Sequence, residues 1–382
     1  MRSLMDEKPT LPAADLFSSL RASLPEGNQT TFFNICRARV WDGALRDLRR
    51  KSFSASNPIS VKFTDSIGQT EGAIDVGGPR REFFSLVLNH IQHSSLFEGP
   101  PTSRVLSLGG QAMENDHYYY AGQLMAMSLV HGGPSPTFLS TTLYEAIAYG
   151  CERSTAGLDD VGDLDIKSKL MKIQSATSLE ELQGAADEAE DFLSLAGLIT
   201  NINSVDKKNQ LVSSAVRFYV LDRTRSAFER LLSGLETLGV LNTIKENPVA
   251  CRKAFIHSEE SELISERLKT IFHVDFSEKG SNKRSTEEVV LSQFFDYLID
   301  VEEGETKCTL RDILVFTSGA SSIPITSFTE MPEITFLHSA DNYPTANTCS
   351  IVLRLPTVHK EYEAFKEAMD FAILNSQSFG TS

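Results

Sequence analysis

Leu310–Pro356 reads LRDILVFTSGASSIPITSFTEMPEITFLHSADNYPTANTCSIVLRLP, and this stretch decides the architecture of the last third of the chain. Apolar residues at helical spacing predict a helix over Leu310–Phe316. Ile334-Thr335-Phe336 reads as a strand, Ser339–Thr348 as a loop, and a second strand carries Ile351, Leu353 and Leu355 on one side. Cys349 stands where that loop meets that strand, a place where a side chain can be exposed yet held by a rigid scaffold. Counting by twos gives the opposite reading. Cys349 shares parity with Ile351, Leu353 and Leu355, so a strand extended backwards would bury it. Spacing alone therefore favours an inert thiol over a nucleophile, here and at the other four cysteines.

Working outward, a last helix is predicted over Lys360–Leu374, with Tyr362, Phe365, Met369, Ala372 and Ile373 on one stripe. Upstream, Val289–Ile299 is helical in pattern, and Glu278–Lys283 is the best linker, being polar, glycine-containing and without apolar anchors. Residues 152–245 are richer in charge, with helical patterns in Leu179–Leu195 and Val212–Leu238. Helices are also expected from Tyr118 through Leu129, stopped by Gly132-Gly133-Pro134, and over Leu143–Tyr149, ending at Gly150. Gly77-Gly78-Pro79 permits a sharp reversal into a helix whose apolar face is Phe83, Phe84, Val87, Leu88 and Ile91. Ile59, Val61 and Phe63 alternate as in a half-buried strand, and Ser66-Ile67-Gly68 begins a turn. Residues 1–28 hold one amphipathic stretch, Leu16, Leu20 and Leu24, expected to be a tail or docking helix.

A chain of 382 residues suits two or three packed units, and 41% hydrophobic with 23% charged residues is the balance of a globular protein. The net charge of -15, from 36 Lys+Arg against 51 Asp+Glu, repels phosphate backbones and argues against nucleic acid as a main partner. The local basic run Arg46, Arg49, Arg50 and Lys51 reads as the solvated face of a helix. The start, MRSLMDEKPTLPAAD, has no signal-peptide character, and no apolar run approaches the roughly 18 residues that span a bilayer, so no membrane partner is expected. Five scattered cysteines without CxxC spacing predict no metal and suit a reducing interior, cytoplasmic, nuclear or both. No phosphate loop, GxSxG elbow, HExxH or GxGxxG occurs, so no cofactor is expected.

Leu310–Pro356 resembles the C-terminal lobe of the HECT ubiquitin ligases. The shared pattern covers Phe316, Gly319, Pro324, Phe328, Pro344, Thr348, Cys349, Leu355 and Pro356. Further upstream, IDVGGPRREFF (Ile74–Phe84), YYYAGQLMAMSLVHG (Tyr118–Gly132) and SQFFDYL (Ser292–Leu298) resemble other family segments in the family's order. The resemblance implies an α+β, bilobal HECT fold, with a mainly helical N-lobe, a smaller subdomain, a hinge and an α/β C-lobe carrying the nucleophile. Its boundaries would be a tail at 1–28, the N-lobe at 29–277 with a reduced conjugating-enzyme-binding subdomain at 152–245, the hinge at 278–283 and the C-lobe at 284–382.

The implied activity is acceptance of ubiquitin from a ubiquitin-conjugating enzyme as a thioester on Cys349, then transfer to a lysine of a protein substrate. Asn347 and Thr348 would support the nucleophile's loop, and Phe379, fourth from the end, would position the C-terminal tail. Three departures from the family pattern stand out. Asn347 replaces a common histidine, Ser322 replaces an arginine, and the paired strands of the small subdomain are not evident in 152–245. They motivate an alternative, a catalytically weak or inactive HECT-like scaffold or ubiquitin-binding protein. A further alternative, a cysteine hydrolase, would recruit His338 or His359 as base.

Overall fold

Cα packing in the computed structural model, which describes residues 11–25, 29–64, 77–198, 202–259 and 262–376, resolves into two units. Of these described residues, one unit takes those up to Leu16 and those within Asn89–Ala126 and Pro136–Ser258; the other takes those within Phe17–Leu88, Met127–Ser135 and from Glu259 onward. The described elements begin with α1 (Ala13–Ala22), β1 (Thr31–Cys36), α2 (Val40–Leu48), β2 (Ile59–Thr64) and α3 (Gly78–His93). Short strands β3 (Phe97–Glu98) and β4 (Val105–Leu106) precede α4 (Gly110–Glu114), α5 (His117–Val130) and α6 (Thr141–Tyr149). Helices α7 (Leu164–Ser175), α8 (Leu179–Glu188), α9 (Glu190–Leu195), α10 (Lys208–Arg217), α11 (Arg225–Leu235), α12 (Val240–Glu246) and α13 (Pro248–Cys251) follow. The chain continues through α14 (Ser265–Ile271), β5 (His273–Val274), α15 (Asn282–Glu302) and α16 (Leu310–Ser318). It closes with β6 (Glu333–Leu337), β7 (Thr345–Asn347), β8 (Val352–Pro356) and α17 (Tyr362–Ser376).

The first unit is almost wholly helical. The Leu179–Leu195 pattern is two helices, because the chain breaks between α8 and α9 at Ala189. The Val212–Leu238 pattern is likewise interrupted, by a π-helical turn at Phe218–Asp222. Burial explains why the sequence conceals the break: Tyr219, Val220 and Leu221 stay inside, so the apolar pattern runs on while the helical register slips. Among the described residues of 152–245 every regular element is helical. Within this unit α5 and α11 meet backbone to backbone. A Cβ on Gly122 would lie 2.3 Å from the Leu231 carbonyl oxygen, and one on Gly234 would lie 2.0 Å from that of Tyr119. Only glycine fits at both positions.

The second unit contains two sheets. β1 and β2 pair in parallel, Phe33 opposite Val61 and Ile35 opposite Phe63, with all four side chains buried. The basic run between them, Arg46, Arg49, Arg50 and Lys51, is exposed, and two of its members also reach inward. Asp47 is 1% exposed and receives Arg46 and Arg50, while its Oδ2 accepts the Asn34 amide at 2.7 Å. Two of the four cations therefore compensate one buried carboxylate. His131, 5% exposed, has Nε2 2.8 Å from the Ala55 carbonyl oxygen. Burial, assisted by nearby Arg80 and Arg21, pushes its pKa down to about 4.

The larger sheet has strand order β5-β6-β8-β7, with β5, β6 and β8 parallel and β7 antiparallel to β8. Ile334, Leu353 and Leu355 point into a core shared with Phe294, Tyr297 and Leu298 of α15, Ile313 and Leu314 of α16, and Phe365, Met369 and Ile373 of α17. Each side chain of that size contributes about 1.5–3 kcal/mol by leaving water. A Thr309–Asp312 capping box starts α16, and left-handed Gly319 ends it. Gly280, also left-handed, sits in the turn before Ser281, whose hydroxyl caps α15 by accepting the Arg284 amide.

Candidate active site

The loop expected over Ser339–Thr348 contains a strand, β7, which pairs with β8 as a hairpin. Asn347 lies opposite Val352, so Thr348, Cys349, Ser350 and Ile351 form the connecting turn. Cys349 is thus a turn residue, half-buried, and the parity argument for an interior thiol fails at one backbone angle. Ile351 has φ +55, a left-handed conformation that β-branched residues rarely adopt. Its side chain is 1% exposed, and its carbonyl accepts the Glu333 amide of β6 at 2.9 Å, which over-determines the strained angle. The reversal at Ile351 uncouples Cys349 from the alternation of β8.

Asn347 shapes the turn from within. Its Oδ1 accepts the backbone amides of Cys349, at 3.0 Å, and Ser350, at 3.4 Å. This is an Asx turn, in which the side chain does the work of a backbone carbonyl. Thr348 packs on the start of α3, where a Cβ at Gly78 would stand 2.3 Å from Thr348 Oγ1.

Sequence reasoning missed the residue that grips this turn from behind. Arg81, 4% exposed, donates from Nε to the Ser318 carbonyl at 2.8 Å and from Nη2 to the Thr348 carbonyl. Bonds from a charged donor are worth about 1.5–3 kcal/mol each when buried. Ser85, one turn later on the same face of α3, shares its hydroxyl proton between the Arg81 carbonyl at 2.9 Å and the Gly319 carbonyl at 3.3 Å, and accepts the Ser321 amide at 2.9 Å. The signal was present as a polar pair at i and i+4 flanking Phe83 and Phe84, but its partners lie more than 230 residues away along the chain.

The remaining thiols divide by depth. Cys36, at the end of β1, is half-buried, whereas Cys151, Cys251 and Cys308 are buried. Burial raises the pKa of all three, to about 11 at Cys251 and about 12 at Cys308. His338 Nε2 lies 2.6 Å from Glu287 Oε1, and His359 Nε2 lies 2.6 Å from the Asn342 carbonyl oxygen. Both histidines are thus engaged with groups other than the Cys349 sulfur. Phe379 lies outside the described residues. Among the described residues no cluster of His, Cys, Asp and Glu could hold a metal, and no helix is long and apolar enough to cross a membrane.

Residues 79–382 match the family HECT-domain (ubiquitin-transferase). The chain is similar to the G2/M phase-specific E3 ubiquitin-protein ligase of Homo sapiens, 36% identical over 346 residues, covering 90% of this chain and 46% of that protein. It is also similar to the protein of that name in Gallus gallus, 36% identical over 361 residues, covering 94% and 47% respectively. The chain spans about half the length of these curated relatives.

Proposed function

The chain belongs to the HECT-domain family, and from that premise we propose that it is an E3 ubiquitin transferase whose nucleophile is Cys349. The single observation that carries the reading is the position of this sulfur. It stands on a four-residue turn closed by Asn347 and backed by Arg81, rather than in the apolar core that encloses Cys308.

Two acyl transfers follow. The Cys349 thiolate attacks the thioester carbonyl joining ubiquitin to the active-site sulfur of a conjugating enzyme; the new S–C bond forms as the old one breaks, and the conjugating enzyme leaves as thiolate. A neutral lysine amine of the substrate then attacks the same carbonyl, Cys349 departs as thiolate, and the amine's proton passes to solvent. Exchange between thioesters is nearly balanced in energy, so the protein's contribution is alignment. Asn347, with its Oδ1 committed to the turn, acts here by shaping the loop rather than as a base. Hinged movement about Glu278–Lys283 and tail positioning by Phe379 belong to this proposal as well.

Incubation with ubiquitin, activating enzyme, ATP and a panel of conjugating enzymes, read on a non-reducing gel, tests it. The expected result is a thiol-sensitive adduct that disappears in Cys349→Ala and persists in Cys36→Ala and Cys308→Ala. An adduct that survives Cys349→Ala overturns the assignment, as does its absence from the wild-type chain with every conjugating enzyme.

A further inference from the structure

The hydrogen bonds around Cys349 hold one peptide group from both sides. The carbonyl of Thr348 is taken by Arg81, and the amide of Cys349, the other half of that peptide unit, is taken by Asn347. A planar trans peptide points these two groups in opposite directions, so while both bonds hold the plane cannot rotate freely, which narrows the positions open to the Cys349 side chain. We propose that Arg81 is a positioning residue for acyl transfer, orienting the Thr348–Cys349 peptide rather than touching the reacting atoms. This deepens the reading of Cys349 as the nucleophile and rests on it.

Three features favour direction over simple cohesion. A buried guanidinium costs much more to desolvate than an apolar side chain of similar size, which would hold α3 against α16 equally well. What the fork adds is fixed geometry toward two acceptors. One acceptor, Ser318, ends α16, where carbonyls without a partner in the helix favour a cation; the other immediately precedes Cys349. Gly78 completes the seat, since any side chain there would strike Thr348.

The test uses the full chain and two readouts. In the first, a Cys349–ubiquitin thioester formed in advance is discharged to free lysine in a single turnover. Arg81→Lys, which keeps the charge but loses the fork, is expected to slow discharge about tenfold, and Arg81→Ala at least a hundredfold. In the second, hydrogen exchange across Asn347–Ile351 should accelerate at least tenfold in both variants while α15 stays protected. Discharge and exchange unchanged in Arg81→Ala overturn the proposal, and so does uniform loss of protection in both Arg81 variants.

Gly78→Ala leaves the guanidinium in place but pushes on Thr348. It should also slow discharge, because the new Cβ meets Thr348 Oγ1, Cβ and carbonyl carbon at 2.3, 2.9 and 3.0 Å; a wild-type rate in this variant counts against the proposal. Should the wild-type chain form no thioester, the ligase reading fails by itself, and the exchange measurements alone decide whether Arg81 orients the turn.

Discussion

Cys308 and Cys349 belong to the same packed unit, yet their surroundings prepare them for opposite fates. Cys308 is 4% exposed, its Sγ lies 4.0 Å from the Asp370 carbonyl oxygen, and burial lifts its pKa to about 12. Cys349 is half-buried on a hairpin turn, with its own amide held by Asn347 and the preceding carbonyl held by Arg81. The difference teaches that what distinguishes these thiols is backbone support and depth. Buried in the core, a sulfur is kept as a neutral packing group; on a half-buried turn, it stands outside that core.

The largest expected effect turns this contrast into a rate. At pH 8 iodoacetamide should modify Cys349 on the order of a thousandfold faster than Cys308, since a thiol of pKa about 12 is thiolate in only about one part in ten thousand at that pH. Raising the pH toward 11 should quicken Cys308 about tenfold per unit for as long as the core stays folded. Peptide mass spectrometry of a time course reads both rates, and comparable labelling at pH 8 would break the comparison.

His131 sharpens the interior side of the contrast, because burial keeps it neutral as it keeps Cys308 neutral. Its folded pKa of about 4 lies below the ordinary value near 6.5, so between these pH values the unfolded chain binds the extra proton. Stability is therefore full above about pH 6.5 and declines as pH falls toward 4, by up to about 3 kcal/mol from this group. His131→Gln, which keeps a donor for the Ala55 carbonyl, should flatten the pH dependence of urea unfolding over that window. An unchanged slope would remove His131 as its source.

The smallest effect concerns the turn. Asn347→Ala removes the acceptor of two backbone amides, a loss of about 1 kcal/mol, and should slow single-turnover discharge from Cys349 about fivefold to tenfold. Thermal melting should hardly move, because Asn347 is exposed and outside the apolar core. A variant that discharges at the wild-type rate would mean that Arg81 alone suffices to hold the peptide.

Much of the fold was legible as periodicity. The helical stripe ending in Ile373 and the alternation through Leu353 and Leu355 predict α17 and β8 because a buried face repeats with the period of its element. The pattern was blind where burial continued through a change of backbone, as at the π turn of Phe218–Asp222. It also missed β7, whose Thr345 and Asn347 are exposed and leave no apolar mark. Cys349 was singled out through the family's motif; its local spacing pointed the other way.

By itself, then, the sequence determined the α+β class, the family, and the identity of the residues flanking Cys349, all of which are written in neighbours along the chain. Tertiary structure alone decided that Ile351 reverses the backbone so that Cys349 escapes the parity of β8. It alone decided that Arg81 reaches the Thr348 carbonyl. The reason is physical: both outcomes depend on groups brought together by folding across hundreds of residues or by a sheet partner, and no local periodicity encodes such a meeting.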